Sequence, residues 1–301
     1  MPGELTAALS TVCYSLSFVL LRKGQAESNP RDHGLLPILF VSTLTFLSAL
    51  LFHYLAFPTA PERLPISPRA IRYAVASGLF GTLFGRLALY TAIDYLGATR
   101  GVVIKALSPL ATLLLAIIFL KEHYEKEYAI GMIFLFLGVG FILIERTLIK
   151  TRSISSFLFR HSFVIAALAA FLQGTGHAFR KLSVLAPVSP LWMASIDMFA
   201  AFIGYIILLV VRGELSIVWN SYRGQYNLPI YTAGVMSASG VLLFFLAVSQ
   251  IPVSEVSIIL GAEPIIVALI SSLFLRQLER MTWLTIAAAV CVASGVMVIS
   301  L

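Results

Sequence analysis

The chain has 301 residues, a formal net charge of +7, and a composition that is 59% hydrophobic and 12% charged. Soluble domains carry about 25% charged residues, so this composition excludes an ordinary soluble globular protein, and a mean hydropathy of +0.95 points to the bilayer. The basic residues cluster between apolar runs, which assigns them to topology and the lipid surface; no nucleic-acid partner is expected.

Taken in order, the chain opens on Met1 to Glu4, without the basic start of a signal peptide, so its first apolar run reads as a retained helix. A bilayer core about 30 Å thick takes roughly 20 mostly apolar residues per helix. On that ruler ten segments emerge, at 4–22, 35–57, 71–93, 99–120 and 127–145, then 162–182, 190–211, 229–250, 254–275 and 282–300. All are expected to be helices, because lipid offers backbone groups no other partner. Cys13 and Cys291 both lie inside apolar segments and read as packing residues; no metal site or cofactor is expected. The connections are short: 25–34 is polar, 58–69 carries Pro58, Pro61, Pro65 and Pro68, 145–161 is basic and serine-rich, and 213–227 is the other long one.

The stretch from Phe84 to Ile144 returns 155 positions later without a gap. Gly85 matches Gly240, Ala92 matches Ala247, Ile104 matches Ile259, Pro109 matches Pro264, and Gly140 matches Gly295. The expected organisation is therefore a first five-helix unit at 1–145, a basic linker at 146–161, and a second five-helix unit at 162–301. An odd number of helices per copy turns the second copy over. The fold class expected is an all-α integral membrane protein, with ten transmembrane helices as two inverted five-helix repeats.

The proline-centred stretch Ala106 to Leu110, the Phe-Leu-Lys-Glu at 119–122 and the glycine-rich segment that follows resemble the EamA family of the drug/metabolite transporter superfamily. Ala262 to Leu269, followed by Leu273 to Leu275, resembles that family's second-half version. The resemblance covers both units and implies a multi-pass transporter with both termini in the cytoplasm; a bacterial inner membrane is the expected location. Two features depart from the general pattern. Gln277 stands where the first copy has Glu122, with Glu279 two residues on, and Arg86 and Lys105 sit inside apolar segments. The charge tally also opposes the implied topology. Loops after odd-numbered segments hold twelve lysines and arginines against seven after even-numbered ones, which would put the termini outside.

A charge at membrane depth costs about 2.5–3.5 kcal/mol on insertion scales, so each such residue should face a cavity or a partner. Arg86 lies in mid-segment with Tyr90 one turn on and Asp94 two turns on, all on one face. Lys105 precedes Pro109 by a turn, Glu263 directly precedes Pro264, and His177 follows Gln173 by a turn. Arg86, Tyr90, Lys105, His177, Asp197 and Glu263 are the expected substrate or coupling-ion residues. Static ion pairing is the competing role for the charged ones, and hydrogen-bonded packing the competing role for His177. Arg22, Lys23, Arg180 and Lys181 stand near segment ends, where snorkelling to headgroups explains them, and Asp94 and Glu255 read as water-facing or capping groups. Pro109 and Pro264 should kink their helices by freeing the carbonyls of Lys105 and Leu260. Lys105 and Glu263 should meet in the central cavity, either as a static pair or with Glu263 carrying a proton.

Gly81 and Gly85, and Gly131 and Gly138, read as close helix contacts. The chain carries no Walker loop, Gly-x-Ser-x-Gly or His-Glu-x-x-His, which leaves a gradient as the energy source and a proton as one coupling ion. The expected activity is secondary transport, in the export direction, of a small polar metabolite by a monomer or homodimer. The balance of four acidic and four basic groups in or near the spans suits an amino acid or related zwitterion as well as internal pairing. A membrane enzyme acting on a lipid or isoprenoid, and a non-transporting scaffold subunit, are the alternatives.

Overall fold

The computed structural model describes residues 2–28, 30–56, 67–120, 126–148, 156–185, 188–224, 226–275, 277–278 and 282–299. Pro58, Pro61, Pro65, Glu122, Glu279 and residues 149–155 of the expected linker lie outside them. The described residues form helices joined by turns and short irregular connections, with no strand among them.

Helices α1 (Gly3–Ser28) and α2 (Leu35–Ala56) are followed by α3 (Pro68–Ser77), a π-helical stretch (Gly78–Phe84) and α4 (Gly85–Leu96) on one unbroken helical path. Then come α5 (Ala98–Lys105), α6 (Ser108–Leu115), a second π stretch (Ala116–Leu120) and α7 (Lys126–Leu148). The rest of the chain supplies α8 (Ser156–Ser183), α9 (Pro190–Val211), α10 (Leu215–Tyr222), α11 (Leu228–Val248), α12 (Val253–Leu260), α13 (Glu263–Phe274) and α14 (Trp283–Ile299). Among the described residues seven stretches are long and apolar enough to cross a bilayer, Ala98–Phe119 and Val253–Phe274 included, each of which runs through a break. Ile130–Ile142 and Trp283–Val292 are shorter apolar stretches. Their outward faces carry large apolar residues such as Leu51, Phe52, Ile118, Val164, Ile207 and Leu273, exposed where a soluble protein would place charge. Two of the connections differ from the sequence expectation. The first helix runs on to Ser28 because the Gln25 amide is taken inward, donating to His33 O at 2.9 Å and Tyr90 O at 3.0 Å. The connection 213–227 holds the short helix α10.

Packing pairs the helices in a regular way. α1 lies on α11, while α8 lies on α3, α4 and the π stretch between them. α2 packs on α11, and α9 on α3 and the π stretch. α7 packs on α14. The seams are cut for close approach. A Cβ on Gly81 would stand 2.9 Å from the Gly176 Cα, one on Gly138 would meet Val292 and Ala288 O, and one on Gly295 would meet Gly131 O. The close helix contacts expected at Gly81, Gly85, Gly131 and Gly138 are therefore present, Gly85 lying against Gln173. Small hydroxyls lock the same seams: Ser10 donates to Gly240 O at 2.8 Å, Ser17 to Ala233 O at 2.9 Å, and Ser42 to Gly234 O at 2.8 Å. Such interhelical bonds contribute about 0.6 kcal/mol each.

Gly81→Ala should lower the melting temperature of the detergent-purified protein, because the new methyl meets backbone that cannot turn aside; overpacking of this kind costs about 1–3 kcal/mol. Gly140→Ala, where nothing lies within 4 Å, is the control. Equal melting temperatures for the two variants would refute the tight seam between the π stretch and α8.

Candidate functional site

The two proline helices are broken. α5 ends at Lys105, Ala106 and Leu107 turn, and α6 restarts at Ser108 with Pro109 in its first turn. α12 ends at Leu260, Gly261 and Ala262 turn, and α13 restarts at Glu263 with Pro264 in its first turn. The expectation of kinks in continuous helices is thus corrected: each proline opens a new helix, where its missing N–H costs nothing. The breaks fall at matching positions under the 155-residue offset. They also fix the charges. Lys105 ends α5, a helix C-terminus that favours a cation, and Glu263 begins α13, an N-terminus that favours an anion. Lys105 Nζ donates to Glu263 Oε2, and both side chains are buried. Lys105 Nζ also lies 5.3 Å from the centre of the Phe18 ring and 5.9 Å from that of Tyr14.

Around this pair is a cavity of about 20 Å³, room for roughly one water. Tyr14, Phe18, Gly81, Arg86, Lys105, Gln173, His177 and Arg180 line it. Of the six expected site residues, the fold brings Arg86, Lys105 and His177 to that lining. Glu263 stands behind it as the partner of Lys105, and Tyr90 is buried one turn from Arg86. His177 Nδ1 lies 3.3 Å from Ser257 Oγ, and its ring packs at 4.6 Å from the ring centre of Phe244.

Asp197 is fully buried as the centre of a polar knot. Its carboxylate accepts from Ser77 Oγ at 2.6 Å, Thr82 Oγ1 at 2.6 Å and Arg180 Nε at 3.2 Å. Arg180 also donates to Thr82 Oγ1 at 2.8 Å and to the Tyr14 hydroxyl at 3.3 Å, and its guanidinium stands over the rings of Phe244 and Phe245. Snorkelling of Arg180 is therefore corrected. Position near a segment end suggested it, but α8 continues to Ser183 and turns Arg180 inward. Tyr14, Phe18, Gly81, Gln173 and Arg180 line the cavity without having been among the expected site residues. The run Ser77, Thr82, Asp197 was the available signal for the knot, since a membrane-depth carboxylate needs hydroxyl donors nearby.

The ends of the bundle carry related contacts. Arg22 Nη1 donates to Asp94 O at 3.0 Å and Oδ1 at 3.1 Å, and His33 Nδ1 lies 2.8 Å from Asp94 Oδ2. Asp94 is thereby paired across helices and does not join Arg86, although both share a face of α4. At the other end Lys181 Nζ donates to Val248 O at 2.7 Å and Ile251 O at 3.0 Å. Gly3 packs on Ile251 and Gly24 on Asn227, so these contacts sit at opposite ends of the α1–α11 pair. Two further clusters brace the bundle. Arg100 grips Glu145 with two bonds, at 2.9 and 2.8 Å, and Thr282 and Thr285 donate to the same carboxylate. Asp32 accepts from the N–H groups of Gly34 and Leu36 at the start of α2, and from the hydroxyls of Tyr205 and Tyr222. Burial, and then the Asp32 carboxylate, hold the Tyr222 phenol above its ordinary range, so it remains a donor.

Discontinuous helices whose ends face a buried centre recur in membrane transporters, and the chain's similarities point to the same class. The EamA-like transporter family matches residues 1–144 and 162–301, and the chain belongs to that family. It is a multi-pass integral membrane protein of a transporter class. It is 26% identical over 230 residues to the uncharacterized transporter YyaM of Bacillus subtilis (strain 168), a match spanning 74% of this chain and 72% of that protein. A protein of known crystal structure, 14% identical, shares the fold with a TM-score of 0.63 over 97% of this chain and 94% of its own.

Removing one partner of a buried ion pair costs about 3–5 kcal/mol, while replacing both is often neutral. Glu263→Gln should accordingly lower the melting temperature, and the double change Lys105→Met with Glu263→Gln should recover most of the loss. A double variant no more stable than the single would show that the pair is not the interaction lost.

Proposed function

We propose that the protein is a secondary active transporter that exports a small polar metabolite across a bacterial inner membrane, by alternating access between two inverted five-helix repeats divided near 146–161. The observation that carries this reading is the pair of broken helices. They align under the internal repeat, end in opposite charges, and meet through Lys105 and Glu263 beside the cavity. The packing supports the same symmetry: exchanging the halves carries the α1–α11 contact onto that of α8 with α3 and α4, and the α2–α11 contact onto that of α9 with α3.

The end contacts follow it too. Arg22 of α1 reaches the C-terminal end of α4, and Lys181 of α8 reaches the C-terminal end of α11. With both ends closed, a cavity of about 20 Å³ is too small for an amino acid, so a substrate enters only when one closure opens. Arg86, Tyr90, Lys105, His177, Asp197 and Glu263 are assigned to that central region, with Glu263 as the group that exchanges a proton.

Uptake and efflux of labelled metabolites in proteoliposomes test the reading. Glu263→Gln should abolish uphill movement while leaving exchange down a gradient, without pH dependence, and the double variant with Lys105→Met should not restore uphill movement. Uphill transport by Glu263→Gln at the wild-type rate and pH profile would remove Glu263 from the mechanism; no flux of any metabolite by folded protein would remove transport itself.

Alternating access is tested by labelling a Gln173→Cys variant, in a background of Cys13→Ala and Cys291→Ala, with a membrane-impermeant thiol reagent. Adding Asp94→Asn should admit reagent from the His33 side, and adding Lys181→Met from the opposite side. Labelling of both variants from one side would contradict two opposed closures.

A further inference from the structure

The sequence offers four bases and four acids in or near the spans, a balance that suits a zwitterion. The structure spends that balance unevenly. Arg22 goes to Asp94, Arg180 to Asp197 and Lys105 to Glu263. Glu255 is exposed near the start of α12 and is not part of the cavity lining. The remaining base, Arg86, is 5% exposed and lines the central cavity. Its Nη1 and Nη2 are buried and have no hydrogen-bond partner. The cavity region therefore holds three cations, Arg86, Lys105 and Arg180, against two carboxylates, Asp197 and Glu263, both already engaged by the other two cations.

A bare buried guanidinium is costly, and its terminal nitrogens form a flat fork that matches two oxygens of one carboxylate. The rest of the lining is already engaged, the Tyr14 and Phe18 rings by the Lys105 ammonium and Gln173 by Gly85 O at 3.2 Å, so an anion that enters when a closure opens meets in Arg86 a fork with hydrogen bonds left to make. We propose that Arg86 is the seat of the substrate's anionic group, and that the substrate is a small organic monoanion, a monocarboxylate being the best match, and not a zwitterion or a cation. One negative charge on the substrate brings the centre to neutrality; a zwitterion leaves the excess positive charge in place, and a cation adds to it. The proposal rests on the reading of the central cavity as the transport site and narrows the substrate that site accepts.

The test uses the full-length protein in detergent and reads binding and stability alone, so its outcome is separate from that of the flux assays. Without ligand, Arg86→Met should melt a few degrees above wild type, because it removes an uncompensated buried cation and keeps the volume. Arg180→Met, which breaks a satisfied pair, should melt below wild type. A panel of short monocarboxylates, at matched ionic strength, should include members that raise the melting temperature of wild type and of the fully buffered Gly140→Ala protein but not of Arg86→Met. Glycine and ethanolamine should shift none of them.

A melting temperature for Arg86→Met that falls as far as that of Arg180→Met would make Arg86 a structural residue and overturn the proposal. So would a panel with no stabilising monocarboxylate, stabilisation by ethanolamine or glycine in place of the carboxylates, or carboxylate stabilisation that survives Arg86→Met unchanged.

Discussion

The contact on which the rest depends is the ion pair between Lys105 and Glu263, made where two helices stop and restart. Each break leaves backbone groups without intrahelical partners, and lipid offers none. Burying the breaks against each other at the centre of the bundle meets this constraint. The cation completes one helix C-terminus, the anion completes one helix N-terminus, and the two charges neutralise each other. The ring faces of Phe18 and Tyr14 close the remaining side of the ammonium. A continuous helix at either place would satisfy its own backbone and leave its charge stranded.

Around that centre the bundle is held by contacts that are individually weak. Glycines bring backbones together at Gly81 and Gly176, serines reach across to carbonyls at Gly240, Ala233 and Gly234, and no large apolar surface has to be removed from water to drive them. The strong polar contacts are concentrated instead in compact knots, Asp197 with Arg180, Ser77 and Thr82, and Glu145 with Arg100, Thr282 and Thr285. Both knots join residues far apart in the chain: Ser77 and Thr82 meet Arg180 and Asp197, and Arg100 and Glu145 meet Thr282 and Thr285.

The two ends of the bundle carry related contacts. The contact at Arg22 and Asp94 adds a full carboxylate and His33 to a helix C-terminus, whereas Lys181 meets carbonyls at Val248 and Ile251. Related cations thus meet related helix termini at both ends of the bundle.

Much of this was legible in the chain. Hydropathy alone marked the chain as a set of membrane helices, seven of which are long and apolar enough among the described residues to cross a bilayer, and the spacing of Pro109 and Pro264 located the centre. The glycines at 81, 85, 131 and 138 pointed to seams because a missing side chain on a lipid-length helix has few other uses. Pairing was not legible. Asp94 shares a helix face with Arg86 yet goes to Arg22 and His33, and Arg180, near an apparent helix end, turns inward to Asp197. Periodicity gives the direction of a side chain on its own helix, but a salt bridge between residues 158 positions apart, such as Lys105 and Glu263, depends on which helices lie side by side and how they are turned. The sequence by itself determined that this chain is a bundle of membrane helices with charges near its middle. Only the tertiary structure decided which charge meets which, and that Arg86 is left over, because partner choice is fixed by three-dimensional distance and not by any period along the chain.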